Sequence, residues 1–278
     1  MSNCIGKVVS DLVENQYFQE SEIYKKIDFE NLNPNEVIMQ IFSYFNAEEL
    51  TRCFLVSKKW KILTNHEHLW KALHPTIAFG KKQWAKYFGK IGKEPLLPID
   101  IHKIFKRDET IAQTHMLVLI PETVDDKPLN LKTLGELVKA PKEGHATQYE
   151  RFRDVIAKEH GHQPTAKSHW VLMKKSLIKK SIGKSYIDQQ ELIAKLAKKT
   201  GIDYEVPNAL DVAICIFIQF ISSKKIPFNS NAFVSTRCQE KIQSDQVAVG
   251  CFSAAKGLNI YQQSNNELCG IAAMRKFF

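Results

Sequence analysis

Between Ile27 and Lys71 the chain holds more large apolar side chains than its own helices can hide. Pro34 suits the first turn of a helix, where its missing N–H costs nothing. Glu36 then lies toward the positive end of that helix's dipole. Val37, Ile38, Ile41, Phe42 and Phe45 recur at helical spacing and make one apolar face. Asn46 can cap a second helix, answered three residues on by Glu49, with Leu50, Cys53, Phe54 and Val56 as its face. Ser57 can cap a third, short helix carrying Trp60 and Leu63, and Leu69-Trp70 closes the unit. Helical units this small usually need a staple, a metal or a partner. The stretch has one cysteine, Cys53, and no metal-ligand set. Part of its apolar surface must therefore be covered by another protein or by the rest of the chain. Isoleucine, phenylalanine and tryptophan rimmed by Lys58, Lys59 and Lys61 have the make-up of an interface.

The order Pro34-x-Glu36, Ile41-Phe42-Ser43-Tyr44-Phe45, Glu49-Leu50, Val56-Ser57-Lys58-Lys59-Trp60 and Leu69-Trp70 resembles an F-box. Two positions depart from that pattern. Asn33 stands where leucine usually precedes the proline, and Ser57 where cysteine usually follows the valine. Families with this motif dock onto Skp1 and form the substrate-choosing subunit of a cullin–RING ubiquitin ligase. The resemblance implies that Pro34, Ile38, Ile41, Leu50, Val56, Trp60 and Trp70 face Skp1.

The remainder reads as one mixed region. Residues 1–26 form an N-terminal extension without the basic-then-apolar pattern of a secretory signal. Residues 27–75 are the three-helix unit. Residues 76–110 read as a linker with one short helix at Trp84, Tyr87 and Phe88, because Pro95 and Pro98 break regular structure. From residue 111 to 278 strands and helices alternate, so the expected fold class is α+β. His115–Ile120 and Ser168–Met173 read as strands, and Leu131–Val138 as a helix. Tyr149, Phe152, Val155 and Ile156 fit one helical face, and Asp188 caps a helix that Gly201 ends. Asn208 caps the helix through Ile221, which is apolar nearly all round and is expected at the centre of the core. Strand-like segments follow near 233–238, 246–252, 258–262 and 270–274. The longest apolar run, within that central helix, is about half of what a bilayer crossing needs.

The net charge is +9, yet residues 1–75 carry 8 basic and 10 acidic groups. Lysine outnumbers arginine 33 to 6, whereas arginine is the better bidentate reader of phosphate and guanine. Nucleic acid is therefore not an expected partner. The pairs Lys174-Lys175 and Lys179-Lys180, with Lys184, do not line one helical face and read as a solvated surface. Six scattered cysteines without a CxxC read as reduced thiols of a cytoplasmic protein.

Two chemical constellations deserve weighing. Glu159, His160, His162 and His169 have metal-ligating side chains, but Gly161 and Pro164 keep them off one helix face, and they read as surface loop residues with no metal. Gln263, six residues before Cys269, resembles the oxyanion glutamine and nucleophile of papain-like and SUMO-protease-like cysteine peptidases. A nucleophilic cysteine needs a histidine to form the thiolate, and none follows His169. A buried thiol is the preferred reading of Cys269. No cofactor is expected.

The phrases THMLVLIPETVDDKPLNLKTLGELVK, VPNALDVAICIF, STRCQEKIQ and GIAAMRKFF resemble uncharacterised F-box-like proteins of chlamydia-related intracellular bacteria. That resemblance implies an effector acting in host cytosol after secretion, since a bacterium has no Skp1. The leading expectation is a non-catalytic adaptor that binds Skp1 and presents an unknown client for ubiquitination. The alternatives are a cysteine hydrolase or deubiquitinase in the C-terminal region, and a self-contained α+β protein with no Skp1 partner.

Overall fold

The computed structural model describes residues 34–42, 53, 57–63, 78–95, 97, 99–108, 110–226, 228, 234–263 and 269–278. The chain divides into two compact units, residues 1–73 and 74–278. In the first, α1 (Pro34–Phe42) and α2 (Lys58–Leu63) are described, and Cys53 is helical and buried. The expected middle helix otherwise lies outside the described residues.

The second unit begins with β1 (Ala78–Phe79), α3 (Lys81–Tyr87), α4 (Ile99–Arg107) and α5 (Ile111–Thr114). Then come β2 (His115–Ile120), β3 (Thr123–Val124), β4 (Lys127–Pro128), α6 (Leu131–Lys139), β5 (Tyr149–Phe152), α7 (Asp154–Glu159) and β6 (His169–Lys174). It continues through α8 (Tyr186–Thr200), α9 (Ala209–Ser223), β7 (Ser235–Ile242), β8 (Asp245–Ser253), β9 (Gly257–Gln263), β10 (Cys269–Gly270) and β11 (Met274–Phe277). One sheet has the order β1-β2-β6-β11, a second β10-β7-β8-β9-β5, and β3 pairs with β4 in a small two-stranded sheet. In the first, β2, β6 and β11 are antiparallel and β1 joins β2 in parallel. In the second, β7, β8 and β9 form an antiparallel meander, and the edge strands β10 and β5 join in parallel. Mixed helices and sheets make this an α+β fold.

Helix α9 is the hub. The Asn208 side chain accepts from the Asp211 amide and starts the helix. Its interior then buries Val212, Ile214, Ile216, Phe217 and Ile221. It touches β2 of one sheet and β7 and β8 of the other, so it has no solvent face that would demand polar residues. Each large apolar side chain buried there contributes roughly 1.5–3 kcal/mol. At the tip between β8 and β9, Gly257 has φ +110°, and a Cβ there would collide with the Gln148 carbonyl. A side chain at 257 would therefore displace the Gln148 loop, which accepts the Leu258 amide at 2.9 Å.

Several local expectations need correction. The 76–110 stretch is built into the second core: Trp84, Phe88, Ile91, Ile101 and Ile104 are buried there. The Trp84 Nε1–H donates to the Leu119 carbonyl at 2.7 Å and ties α3 to β2. The aromatic face of Trp84, Tyr87 and Phe88, read as a short helix within a linker, does the packing. Tyr149 and Phe152 lie on strand β5, not on the helix with Val155 and Ile156. A bulge between Tyr149 and Arg151 lets an i, i+3 pair share one strand face. Helix α8 starts at Tyr186, two residues before Asp188. Ser185 is its cap, accepting the Asp188 amide at 3.2 Å while its hydroxyl donates to the Asp188 carboxylate at 2.8 Å. The segment near 270–274 is two short strands, β10 in one sheet and β11 in the other.

Among the described residues no helix is long and apolar enough to cross a membrane.

Candidate partner-docking site

The first unit carries its own small apolar cluster. Phe42 is buried at 1% exposure and Cys53 is buried beside it. Ile38, Met39, Ile41, Trp60 and Leu63 pack around this pair and remain partly exposed. Phe42 ends α1 and meets Trp60 of α2 edge to face, with ring centroids 5.2 Å apart and planes at 77°. That geometry matches the positive ring edge of one aromatic to the negative face of the other. The Ser57 hydroxyl oxygen accepts the Trp60 amide at 3.1 Å, which caps α2 as its sequence predicts. Lys58 and Lys59 are exposed on the same helix.

The residues expected to face a partner therefore divide. Ile38, Ile41 and Trp60 form a partly exposed apolar ring around Phe42. Pro34 opens α1. Leu50, Val56 and Trp70, with Asn46 and Glu49, lie outside the described residues. Phe42 and Met39 add to the reading: Phe42 is the internal anchor of the ring, and Met39 was absent from the predicted apolar face. Arithmetic on helical spacing could have found Met39, because it stands three residues before Phe42.

The cysteine pair separates. Cys269 on β10 is fully buried. Burial pushes its thiol up to about 11, although the Ser235 hydroxyl, donating to its sulfur at 3.5 Å, works in the opposite direction. Gln263 ends β9, opposite Gln246 of β8. Strands β7 and β8 lie between Gln263 and Cys269: Cys269 is level with Asn259 of β9, three strand spacings or roughly 14 Å away, and Gln263 lies further along β9 still. The histidines available as bases are engaged elsewhere. His115 bonds Tyr204 at 2.8 Å, His145 meets Phe220 at a ring separation of 6.3 Å, and His169 faces Asp211 at 3.7 Å. This arrangement raises the cost of a thiolate at Cys269, where a nucleophile needs that cost lowered.

The histidine group is divided: His160 and His169 line one cavity, and Glu159 and His162 are not part of its lining. His162 is exposed and bonds Lys132 Nζ at 2.7 Å. His160 ends α7 and bonds the Lys241 carbonyl at 3.1 Å. His169, grouped with the loop histidines yet also inside the strand expected over 168–173, is a buried member of β6. No group of three metal-ligating side chains forms among the described residues. In the lysine run, burial and the neighbouring Lys179 lower the Lys174 ammonium, and burial and Lys225 lower that of Lys175.

The profile of the family described as F-box-like matches residues 34–76. F-box/LRR-repeat protein 5 of Pongo abelii is 47% identical over 51 residues, covering 18% of this chain and 7% of that protein. The protein of the same name from Bos taurus is 38% identical over 79 residues, 28% of this chain and 11% of that protein. Its Mus musculus counterpart is 36% identical over 78 residues, with the same 28% and 11% coverage. The matches thus span about a tenth of the relatives' own length. No solved structure matches the chain. Residues 34–76 are an F-box-like domain.

Proposed function

We propose that the F-box-like domain docks on Skp1 and makes the chain a substrate adaptor of a cullin–RING ubiquitin ligase. The observation that supports this reading is the Ile38/Ile41/Trp60 ring. These residues surround Phe42 without being sealed by it, inside the segment that matches the F-box-like family. Burying three such side chains under a partner supplies the kind of apolar centre on which stable interfaces rest. Pro34, Leu50, Val56 and Trp70 belong to the same proposed surface by their place in the motif. The second unit, with its two sheets around α9, presents the client. In this reading the chain is non-catalytic, and the buried, high-pKa Cys269 thiol supports that part. The resemblance to proteins of intracellular bacteria extends the proposal to an effector working in host cytosol.

The test is co-purification. The full chain should retain Skp1 on a column, and the Ile41→Ala/Trp60→Ala double variant should lose it. A wild-type chain that retains no Skp1 where a known F-box protein does would remove the basis for the adaptor reading. Ubiquitin bearing an electrophile at its C-terminus should leave Cys269 unmodified. A covalent adduct there would favour the hydrolase instead.

A further inference from the structure

Two stretches of the second unit, 160–187 and 212–239, hold no aspartate or glutamate, where the chain's average would place about six. The fold brings them together. β6 ends at Lys174, and the Lys175 carbonyl just beyond it accepts the Phe228 amide at 2.8 Å, a few residues after α9 ends. Lys179 consequently bears on Lys174, and Lys225 on Lys175, with no acid acting on either. Among the described residues no carboxylate pairs with Lys174, Lys175, Lys179, Lys180, Lys224 or Lys225. Lysines elsewhere in the unit do find partners, as Lys86 finds Glu143 at 3.3 Å and Lys256 finds Glu150 at 3.6 Å. Two acids at the margin are already engaged. Asp108, which bears on His115 opposite Lys174, is bonded by the Thr110 amide and hydroxyl at 2.9 and 2.6 Å. The Asp188 carboxylate accepts the Ser185 hydroxyl at 2.8 Å.

Like charges held together without a counter-charge raise the local potential and favour an anionic partner. These lysines stand on fixed backbone, so binding needs little ordering. The Ile178 amide donates to the Ile271 carbonyl at 2.9 Å, and the Ser181 hydroxyl accepts the Ile271 amide at 3.1 Å. Apolar side chains are set in the same stretches. Ile182, Ile187 and Ile226 are three of the four large hydrophobics exposed among the described residues. A partner that fits must offer negative charge and apolar groups together. The one arginine in these stretches, Arg237, is buried, and lysine alone is the weaker reader of nucleic-acid phosphate. Lys174 and Lys175 are partly buried, and Lys175 Nζ is drawn onto the Gln113 carbonyl at 2.9 Å. A flat bilayer meets protruding groups first, whereas a glutamate side chain reaches into a recess.

We propose that this lysine face docks an acidic segment of a partner protein, its carboxylates meeting Lys174, Lys175, Lys179 and Lys225 and its apolar side chains the exposed isoleucines. As the face that takes the client it rests on the adaptor reading. The binding measured below involves no Skp1, so the docking of a peptide and the docking of Skp1 can fail separately.

Fluorescence anisotropy of the full chain tests it at roughly 0.15 M salt, where general attraction to a basic protein is screened. The probe is a fluorescein-labelled peptide of glutamates with leucine at every third position. Oligothymidylate and phosphatidylserine vesicles are the competing anions. The peptide should bind saturably, in the micromolar range. Lys179→Glu/Lys225→Glu, both at exposed positions, should weaken it at least about tenfold. Lys82→Glu/Lys93→Glu makes the same change of charge beside α3, which docks at the Trp170 end of β6, and should weaken it less than about twofold. Serine in place of the peptide's leucines should weaken it as well. Three results would overturn the proposal: no saturable binding of the peptide, equal weakening by the two charge-reversal pairs, or tighter binding of oligothymidylate or vesicles than of the peptide.

Discussion

His115 should make the second unit acid-sensitive by an amount that the structure sets. The residue opens β2, is 6% exposed, and stacks on Tyr204 with ring centroids 5.9 Å apart. Its Nε2 bonds the Tyr204 hydroxyl at 2.8 Å and its Nδ1 the Thr114 hydroxyl at 2.9 Å. Burial, helped by Lys174 and Lys175 and opposed by Asp108, lowers its pKa from 6.5 to about 4. Between those two values the unfolded chain binds a proton that the folded chain refuses. The corresponding stability is therefore fully present above pH 6.5, falls with pH through this window, and is gone below pH 4. The whole shift is worth about 3 kcal/mol, of which about 2 kcal/mol is lost by pH 5. Urea unfolding followed by circular dichroism at pH 7 and pH 5 measures it. Glu205 and Glu240, whose carboxyls burial pushes up, titrate in the opposite sense. His115→Gln isolates the histidine, because the amide can still reach Tyr204 and does not titrate. The wild type should lose about 2 kcal/mol more than His115→Gln between the two pH values. Parallel losses in the two proteins would refute the reasoning.

Three further outcomes follow from named contacts. Phe42→Ala removes the anchor of the first unit and should destabilise it by about 3–5 kcal/mol, seen as fast amide exchange across α1, whereas partly exposed Ile41→Ala should leave that exchange slow. Iodoacetamide at mildly alkaline pH should leave Cys269 unmodified in the native chain and label it in urea, read by peptide mass spectrometry; rapid native labelling would contradict its burial. Gln189→Leu keeps the side chain's size but strips the donors that hold the Ser181 and Cys269 carbonyls at 2.8 and 3.0 Å. It should cost at least about 2 kcal/mol in urea unfolding.

What could be read from the sequence was short in range. The cap at Asn208 and the apolar run behind it announce α9, and the runs 115–120 and 168–173 announce the two central strands of one sheet. Ser57 and Trp60 lie three residues apart, so their bond was legible as well. Errors arose where two structures share a spacing: a bulged strand placed Tyr149 and Phe152 as a helix would. The buried cluster of His169, Asp211 and Lys276 was invisible for a different reason. His169, Asp211 and Lys276 come from β6, α9 and β11, and only the pairing of β6 with β11 and the packing of α9 bring them together. In the sequence nothing links the three: His169 sits in one apolar run, Asp211 at a helix start and Lys276 far from both.

The adaptor reading is most directly decided by the dissociation constant between purified full-length chain and purified Skp1, measured by calorimetry for the wild type and for Trp60→Ala. The account predicts saturable one-to-one binding in the micromolar range or tighter, weakened roughly thirtyfold or more by the substitution, as the loss of an interface hot spot of about 2 kcal/mol requires. Absence of heat with the wild type, or equal affinity in the two proteins, would contradict it.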